Sequence, residues 1–479
     1  MNFNLGEVVE ATGGRLICGR KATKAGRICT DTRTLQEGDT FLALDGKNFR
    51  GADFISHALS KGAAGVIATC ALPETFPRNR FYIQVKNSLN ALGDVAREWR
   101  KVVDPIVIAV TGSAGKTTTK EMLAFICKDE MNTLYTEGNY NNLIGLPLTL
   151  LRLKEEHELA IVEVGMSIPG ELTELTNICL PDVAVITNIG NAHIGNFGSL
   201  SGLVKGEAEI FEAMPKEGTA IINADCPHAS IMAETFEIPE MVICYGQNER
   251  ADVRAMNLRI SKPYGYQFDL KIIDVVKEVH LKVFGRYQVS NAIAAAAAAA
   301  RVGIDPEIIA ERLQEFDAPK MRSTTEWFDG IFMITDCYNA SPDAMITSLK
   351  SINDVSGLKR RVALLGDMLE LGDHTERFHR QVGLAAAEAK LDFVCTVGES
   401  AHYITDEAER RGVAAQHFLE GADAAHFLHR ILEPNDALIV KGSRGARLEM
   451  VLAKLKEIRS EARLGIIATT QPEEYVAQQ

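Results

Sequence analysis

The stretch that most constrains this chain is Ile106-Val107-Ile108-Ala109-Val110-Thr111-Gly112-Ser113-Ala114-Gly115-Lys116-Thr117-Thr118-Thr119-Lys120. Five apolar, mostly β-branched residues predict a buried strand, the Gly-Ser-Ala-Gly turn has almost no side-chain bulk, and residues 116–128 have helical composition. Strand, glycine turn and helix in that order make a phosphate cradle. Glycines let the backbone approach an anion, free N–H groups at the helix start point into the turn, and the helix dipole favours negative charge there. In such a cradle Lys116 reaches the outer phosphates and the Thr117 hydroxyl meets the magnesium that travels with them. Val110 stands where a full Walker sequence has its first glycine. The motif points to a nucleotide and not to a reaction, and a purely structural glycine turn is the other reading.

At 479 residues the chain exceeds what one core supports, so two to four domains are expected. A formal net charge of -13 argues against a non-specific nucleic-acid binder, which needs surplus lysine and arginine. An anionic substrate must therefore be held by local, pre-placed donors. The nine cysteines include no Cys-x-x-Cys pair or zinc spacing, which predicts free thiols in a reducing cytosol. Residues 1–14 carry Glu7 and Glu10 and lack a basic region followed by an apolar run, and no apolar stretch approaches the ~20 residues of a membrane span. The expectation is a cytoplasmic protein with no membrane insertion and no nucleic-acid partner.

Three blocks are expected, at residues 1–103, 104–317 and 318–479. The first has strand-like runs at 41–44, 65–68 and 81–85 and helical patterns near 54–61 and 91–100, a small α/β domain. Asp31-Thr32-Arg33 and Gly38-Asp39-Thr40-Phe41 fall in its loops, where a solvated turn capped by Asp31 and a nucleotide-binding loop are both possible. Asp104-Pro105 is a candidate hinge, because the residue before proline is pushed to an extended conformation. The second block has candidate strands at 106–110, 159–164, 183–187 and 219–222 with helices between, a mainly parallel sheet covered on both faces. Ligands bind at the carboxyl ends of such strands. Glu163 follows an apolar strand directly and suits magnesium, unless it is a surface or capping carboxylate. His193 lies in a loop rich in glycine and asparagine, where a lone histidine is more often a bystander. Asn139, Asn141 and Asn142 offer neutral donors in a turn-prone run ending in Pro147, as asparagine-rich turns without function also do. Among residues 292–300 only Ile293 is not alanine, which predicts a closely packed helix. The third block repeats the pattern at 331–335, 361–365, 393–397 and 437–440, a second α/β sheet of Rossmann type, before a polar tail from Thr469.

Thr111-Gly112-Ser113-Ala114-Gly115-Lys116-Thr117, Gly138-Asn139-Tyr140-Asn141-Asn142, Glu163-Val164-Gly165, Thr187-Asn188-Ile189 with Ala192-His193, and Asn291 resemble the central-domain motifs of the Mur ligases. The third block adds Asp336-Cys337-Tyr338-Asn339-Ala340, Gly366-Asp367-Met368-Leu369-Glu370-Leu371-Gly372 and Lys441-Gly442-Ser443-Arg444, and with Asp31-Thr32-Arg33 and Gly38-Asp39-Thr40-Phe41 of the first the resemblance covers all three blocks. It implies a small UDP-binding α/β domain, a central ATP-binding domain with a parallel sheet, and a carboxy-terminal Rossmann-like domain. It further implies ATP-dependent joining of D-alanyl-D-alanine to UDP-N-acetylmuramoyl-tripeptide through an acyl phosphate, with two magnesium ions. On that analogy Gly112 to Thr118 hold phosphates, Thr117 and Glu163 serve the metal on ATP, and His193 serves the second. Asn139, Asn142 and Asn188 surround the phosphates, Asn291 meets adenine, and Arg322 and Asp336 close over ATP. Asp31, Thr32 and Arg33 belong to the UDP site, with Thr32 where serine is usual. Lys441 to Arg444 and Asp367 to Glu370 shape the dipeptide site.

Two departures stand out. The family commonly carries a carbamylated lysine four residues before an aromatic residue, and counting back from Phe211 reaches Glu207, with Lys205 the competing candidate. A fixed Glu207 carboxylate would replace the carbamate and make activity insensitive to bicarbonate. Tyr287-Gln288 stands where His-Asn is frequent. A non-catalytic subunit holding ATP and a UDP-sugar, and a ligase with another amino-acid or peptide nucleophile, are the competing classes.

Overall fold

The computed structural model describes residues 2–46 and 49–464, which form three α/β layers in chain order. The tail from Thr469 lies outside the described residues.

The amino-terminal sheet has five strands in the order Arg15–Cys18, Phe81–Gln84, Gly65–Ala68, Thr40–Leu42, Ile28–Cys29. Only Arg15–Cys18 runs antiparallel to its neighbour. The helix Ser88–Val103 leads out of this sheet and is pinned to the next layer by two buried groups. Trp99 donates its indole N–H to the Leu153 carbonyl at 3.0 Å, and the Arg100 guanidinium reaches the carbonyls of Cys179 and Leu180 and the carboxylate of Asp182. Asp104 corrects the expectation of an extended residue before Pro105. It caps the helix in the left-handed conformation at φ 52°, with its N–H on the Arg100 carbonyl and its carboxylate on the Arg100 guanidinium. These two bonds outweigh the pre-proline preference.

The central sheet has nine strands, in the order Val275–Leu281, Tyr266–Ile272, Val253–Ile260, Met241–Gly246, Thr219–Asn223, Val183–Ile186, Ile106–Thr111, Leu159–Glu163, Thr133–Tyr135. The seven from Val253–Ile260 onward are parallel, and the first two form an antiparallel extension. Strand Ile106–Thr111 is buried on both faces: Val107 and Ala109 enter one core, Ile108 and Val110 the opposite one. This double burial is why the strand reads as an unbroken apolar run. Chain order reverses at this strand, since Leu159–Glu163 lies on one side and Val183–Ile186 on the other, so its carboxyl end opens into a crevice. The alanine-rich segment is the helix Tyr287–Arg301; its alanines 292–299 are fully buried, and their small size lets it lie against the helix Lys116–Cys127 that follows the glycine turn.

The carboxy-terminal sheet runs Thr324–Phe328, Ile331–Asp336, Ala437–Lys441, Arg361–Gly366, Phe393–Val397, Ala414–Phe418, antiparallel only at the first pair. One apolar cluster runs through all three layers, including Ile83, Ile186 and Ile334. Among the described residues no helix is long and apolar enough to cross a membrane.

Candidate active site

The glycine turn is the centre of the site. Gly112 at φ 129° and Gly115 at φ 86° take backbone conformations that side chains resist, and a Cβ on either would collide, with Thr187 Oγ1 and with Asn291 Oδ1 respectively. The turn is braced from the neighbouring strand end. Ser113 N–H donates to the Asn188 carbonyl at 2.9 Å, Ala114 N–H to Asn188 Oδ1 at 2.8 Å, and the Ser113 hydroxyl accepts from Gly190 N–H. Asn188 therefore supports the loop through its oxygens. Lys116, at the head of the helix, folds its ammonium back onto the Gly112 carbonyl.

Glu207 and His193 lie within reach of that lysine's charge, and Glu163 stands at the neighbouring strand end. Glu163 ends the strand whose register partner at that position is Val110, beside the turn. Its Oε1 accepts from Asn141 Nδ2 at 2.8 Å, while Oε2 is buried without any hydrogen-bond partner. Glu207 is 3% exposed on the helix Leu200–Ala213 and accepts from the Thr111 hydroxyl at 3.0 Å. Burial pushes its carboxyl up to about 7, against the pull of the Lys116 charge and the Thr111 hydrogen bond. Lys205 is exposed on the same helix, so Glu207 is the residue turned inward. His193, at φ 59°, contacts Glu370 of the carboxy-terminal layer through Nδ1. Burial and then the Lys116 charge hold its imidazole below the usual range, with the Glu370 carboxylate opposing. Nδ1 donating to Glu370 leaves Nε2 with a lone pair, the form that binds a metal.

A cavity of ≈ 310 Å³ opens behind the turn, lined by Ser113 to Gly115, Thr118, Asn188, Asn291, Arg322, Asp336 and Lys441 among others. Arg322 stacks on Tyr338 at 4.1 Å and donates to the Thr117 hydroxyl at 2.9 Å, bridging the central and carboxy-terminal layers. Asp336 is paired with Lys441 at 2.6 Å, so Lys441 faces this cavity along with Asn291 and Arg322. Tyr287 Oη bonds the Ser323 hydroxyl at 2.6 Å and Gln288 Oε1 accepts from Asn291, so the residues of the second departure form one polar wall.

Other expected residues lie apart. Asn139 and Asn142 are exposed, and Asn142 Oδ1 caps the helix Gly145–Leu150 by accepting from Gly145 N–H at 2.8 Å. Asn141, between them, is the one that reaches Glu163. Arg444 is exposed and paired with Glu449 at 2.9 Å. Asp31, Thr32 and Arg33 line a separate cavity of ≈ 400 Å³ with Phe41, Phe49 and Phe54. Hydrogen bonding to Arg33 holds the Asp31 carboxyl below the usual range. Sequence reasoning missed the contacts of Asn141 with Glu163 and of Glu370 with His193, although both residues stand in runs the sequence singles out.

The donors suit magnesium. A buried carboxylate oxygen without a partner costs free energy unless a ligand satisfies it, and Glu163 Oε2 faces that situation next to a phosphate-type turn.

Comparison with known proteins agrees with this geometry. Residues 26–100 match the Mur ligase family catalytic domain, 110–299 the Mur ligase middle domain and 321–444 the Mur ligase glutamate ligase domain. The chain is 34% identical over 435 residues to the UDP-N-acetylmuramoyl-tripeptide–D-alanyl-D-alanine ligase of Bacillus subtilis, covering 90% of this chain and 93% of that one. It is also 34% identical over 434 residues to the enzyme of the same name from Escherichia coli, covering 90% and 93%. Its fold superposes on crystal structure I of MurF from Acinetobacter baumannii with a TM-score of 0.88 at 31% identity, covering 95% of this chain and 99% of that one. For MurF from Thermotoga maritima in complex with ADP the TM-score is 0.81 at 27% identity, covering 91% and 99%. With family matches across all three layers and 34% identity over 90% of its length to these ligases, the chain belongs to the Mur ligase family.

Proposed function

We propose that the chain is an ATP-dependent ligase that joins D-alanyl-D-alanine to UDP-N-acetylmuramoyl-tripeptide, a step of peptidoglycan synthesis carried out in the cytoplasm. The observation that carries the reading is the gathering of Lys116, Thr117, the unpartnered Glu163 oxygen, Glu207 and His193 at the switch point of a parallel sheet. Residues 1–103 would bind the UDP moiety through Asp31, Thr32 and Arg33, residues 104–317 ATP, and residues 318–479 would close over ATP and bind D-alanyl-D-alanine.

A carboxylate oxygen of the tripeptide attacks the γ-phosphorus of ATP, the bond to ADP breaks, and an acyl phosphate forms. The unprotonated amine of the dipeptide then attacks the acyl carbon, and the tetrahedral intermediate expels phosphate while the nitrogen gives up a proton. Bringing two anions together is the first obstacle, and Lys116 with the N–H groups of 115–117 at the helix start offsets their repulsion. Magnesium, which Thr117 and Glu163 would hold on the ATP side and His193 on the acyl side, supplies charge neutralisation at the phosphate oxygens. Glu207 would supply as a fixed carboxylate the negative charge that a carbamylated lysine otherwise brings, and Asn188 holds the turn's shape. Arg322 and Asp336 close the cavity on the side where Asn291 would meet adenine.

The test is phosphate release by the purified chain with magnesium, ATP and UDP-N-acetylmuramoyl-tripeptide. Release that requires D-alanyl-D-alanine supports the reading. Release with a single amino acid instead assigns a different nucleophile, and intact ATP overturns the reaction.

A further inference from the structure

The loop 188–193 touches two layers at once. At one end it braces the glycine turn through Asn188 and Gly190. At the other it is gripped by Asp343, on the first turn of the helix Pro342–Ser351 in the carboxy-terminal layer. Asp343 Oδ2 accepts from Asn191 N–H at 2.6 Å and from Asn191 Nδ2 at 3.1 Å, and Oδ1 lies 3.2 Å from the same amide nitrogen. The approach is so close that a Cβ on Gly190 would meet the Asp343 carboxylate. His193 follows two residues later, and Asp343 itself lines the cavity behind the turn. A half-buried carboxylate taking three hydrogen bonds from one residue across a layer boundary is a directional clamp rather than a surface contact.

We propose that Asp343 is a positioning residue for the ligation: by holding Asn191 it ties the loop that shapes the glycine turn and carries His193 to the carboxy-terminal layer, so that docking of that layer and assembly of the reaction centre become one event. The geometry of the clamp stands on its own, while its catalytic consequence rests on the proposed ligase reaction. The contact joins two layers, so scattering reads the docking independently of activity.

The experiment compares Asp343→Ala, Asp343→Asn, Asn191→Ala and the Asp343→Ala/Asn191→Ala double variant, each by small-angle scattering without ligands and by steady-state kinetics. Asp343→Ala should enlarge the ligand-free radius of gyration and lower kcat about 10-fold or more with little change in ATP KM, since a displaced loop costs orientation more than binding. Asp343→Asn, whose amide oxygen still accepts from the Asn191 N–H, should recover most of the loss. The double variant should match the more damaged single variant, as coupled partners do. Wild-type kcat in Asp343→Ala, additive losses, or unchanged scattering in both Asp343→Ala and Asn191→Ala overturn the proposal. A wild-type chain that leaves ATP intact but opens on Asp343→Ala would instead refute the ligase reading and spare the clamp.

Discussion

Asn141 donates its side-chain amide to Glu163 Oε1 at 2.8 Å and thereby turns the other carboxylate oxygen, Oε2, into a buried acceptor with nothing to accept from. The pair couples the asparagine-rich turn to the strand end beside the phosphate loop. Glu163→Ala is therefore expected to abolish most turnover. Asn141→Ala, which frees the carboxylate to rotate, should weaken magnesium activation about 10- to 100-fold, as loss of a partner behind a metal ligand does. Titrating magnesium against rate in each variant checks this; an Asn141→Ala curve that overlays wild type refutes it.

Glu207 gives a pH prediction. Its folded-state value, about 7, lies above the ordinary carboxylate value, so the folded chain holds a proton that the unfolded chain releases earlier. The cost of burying this charge is absent at pH 4, grows between about 4.5 and 7, and is complete above 7, where it amounts to roughly a few kcal/mol. Glu207→Gln should therefore melt higher than wild type at pH 8 and alike at pH 4, while losing turnover at pH 8. Equal melting temperatures at pH 8 would show that the group is not strained by burial. Bicarbonate should leave wild-type activity unchanged.

Gly115 cannot carry a side chain without strain and collision with Asn291. Gly115→Ala combines a left-handed alanine, costing about 1–2 kcal/mol, with displacement of the asparagine expected beside adenine. ATP KM should rise about 10-fold or more, a rise of tenfold corresponding to about 1.4 kcal/mol. Calorimetric titration with an ATP analogue checks it.

Arg100, 6% exposed, satisfies two carbonyls and two carboxylates between the helix Ser88–Val103 and the central layer. Arg100→Ala leaves those carbonyls without their donor and is expected to cost about 2–4 kcal/mol in urea unfolding. Arg100→Lys should restore less than half, because an ammonium cannot reproduce the guanidinium fork.

What the sequence determined by itself is the part of the protein governed by neighbours along the chain. The strand Ile106–Thr111, the glycine turn and the helix Lys116–Cys127 follow from β-branched runs, missing side chains and helix formers within some twenty residues. The doubly buried strands at 159–163, 183–186, 361–366 and 437–441 are legible for the same reason, as unbroken apolar runs. The strands at 253–281 escaped because they are half-solvated at the sheet edge and mix charged with apolar residues. Only the tertiary structure decided which asparagine meets Glu163, since successive side chains in an irregular turn point in directions that no periodicity dictates. It alone decided that Glu207 is sealed against Thr111, that Arg322 reaches Thr117 across 205 positions, and that Asp343 grips Asn191 across 152. Such contacts depend on how whole layers dock, and docking is set by the summed burial of many side chains rather than by the residues that meet.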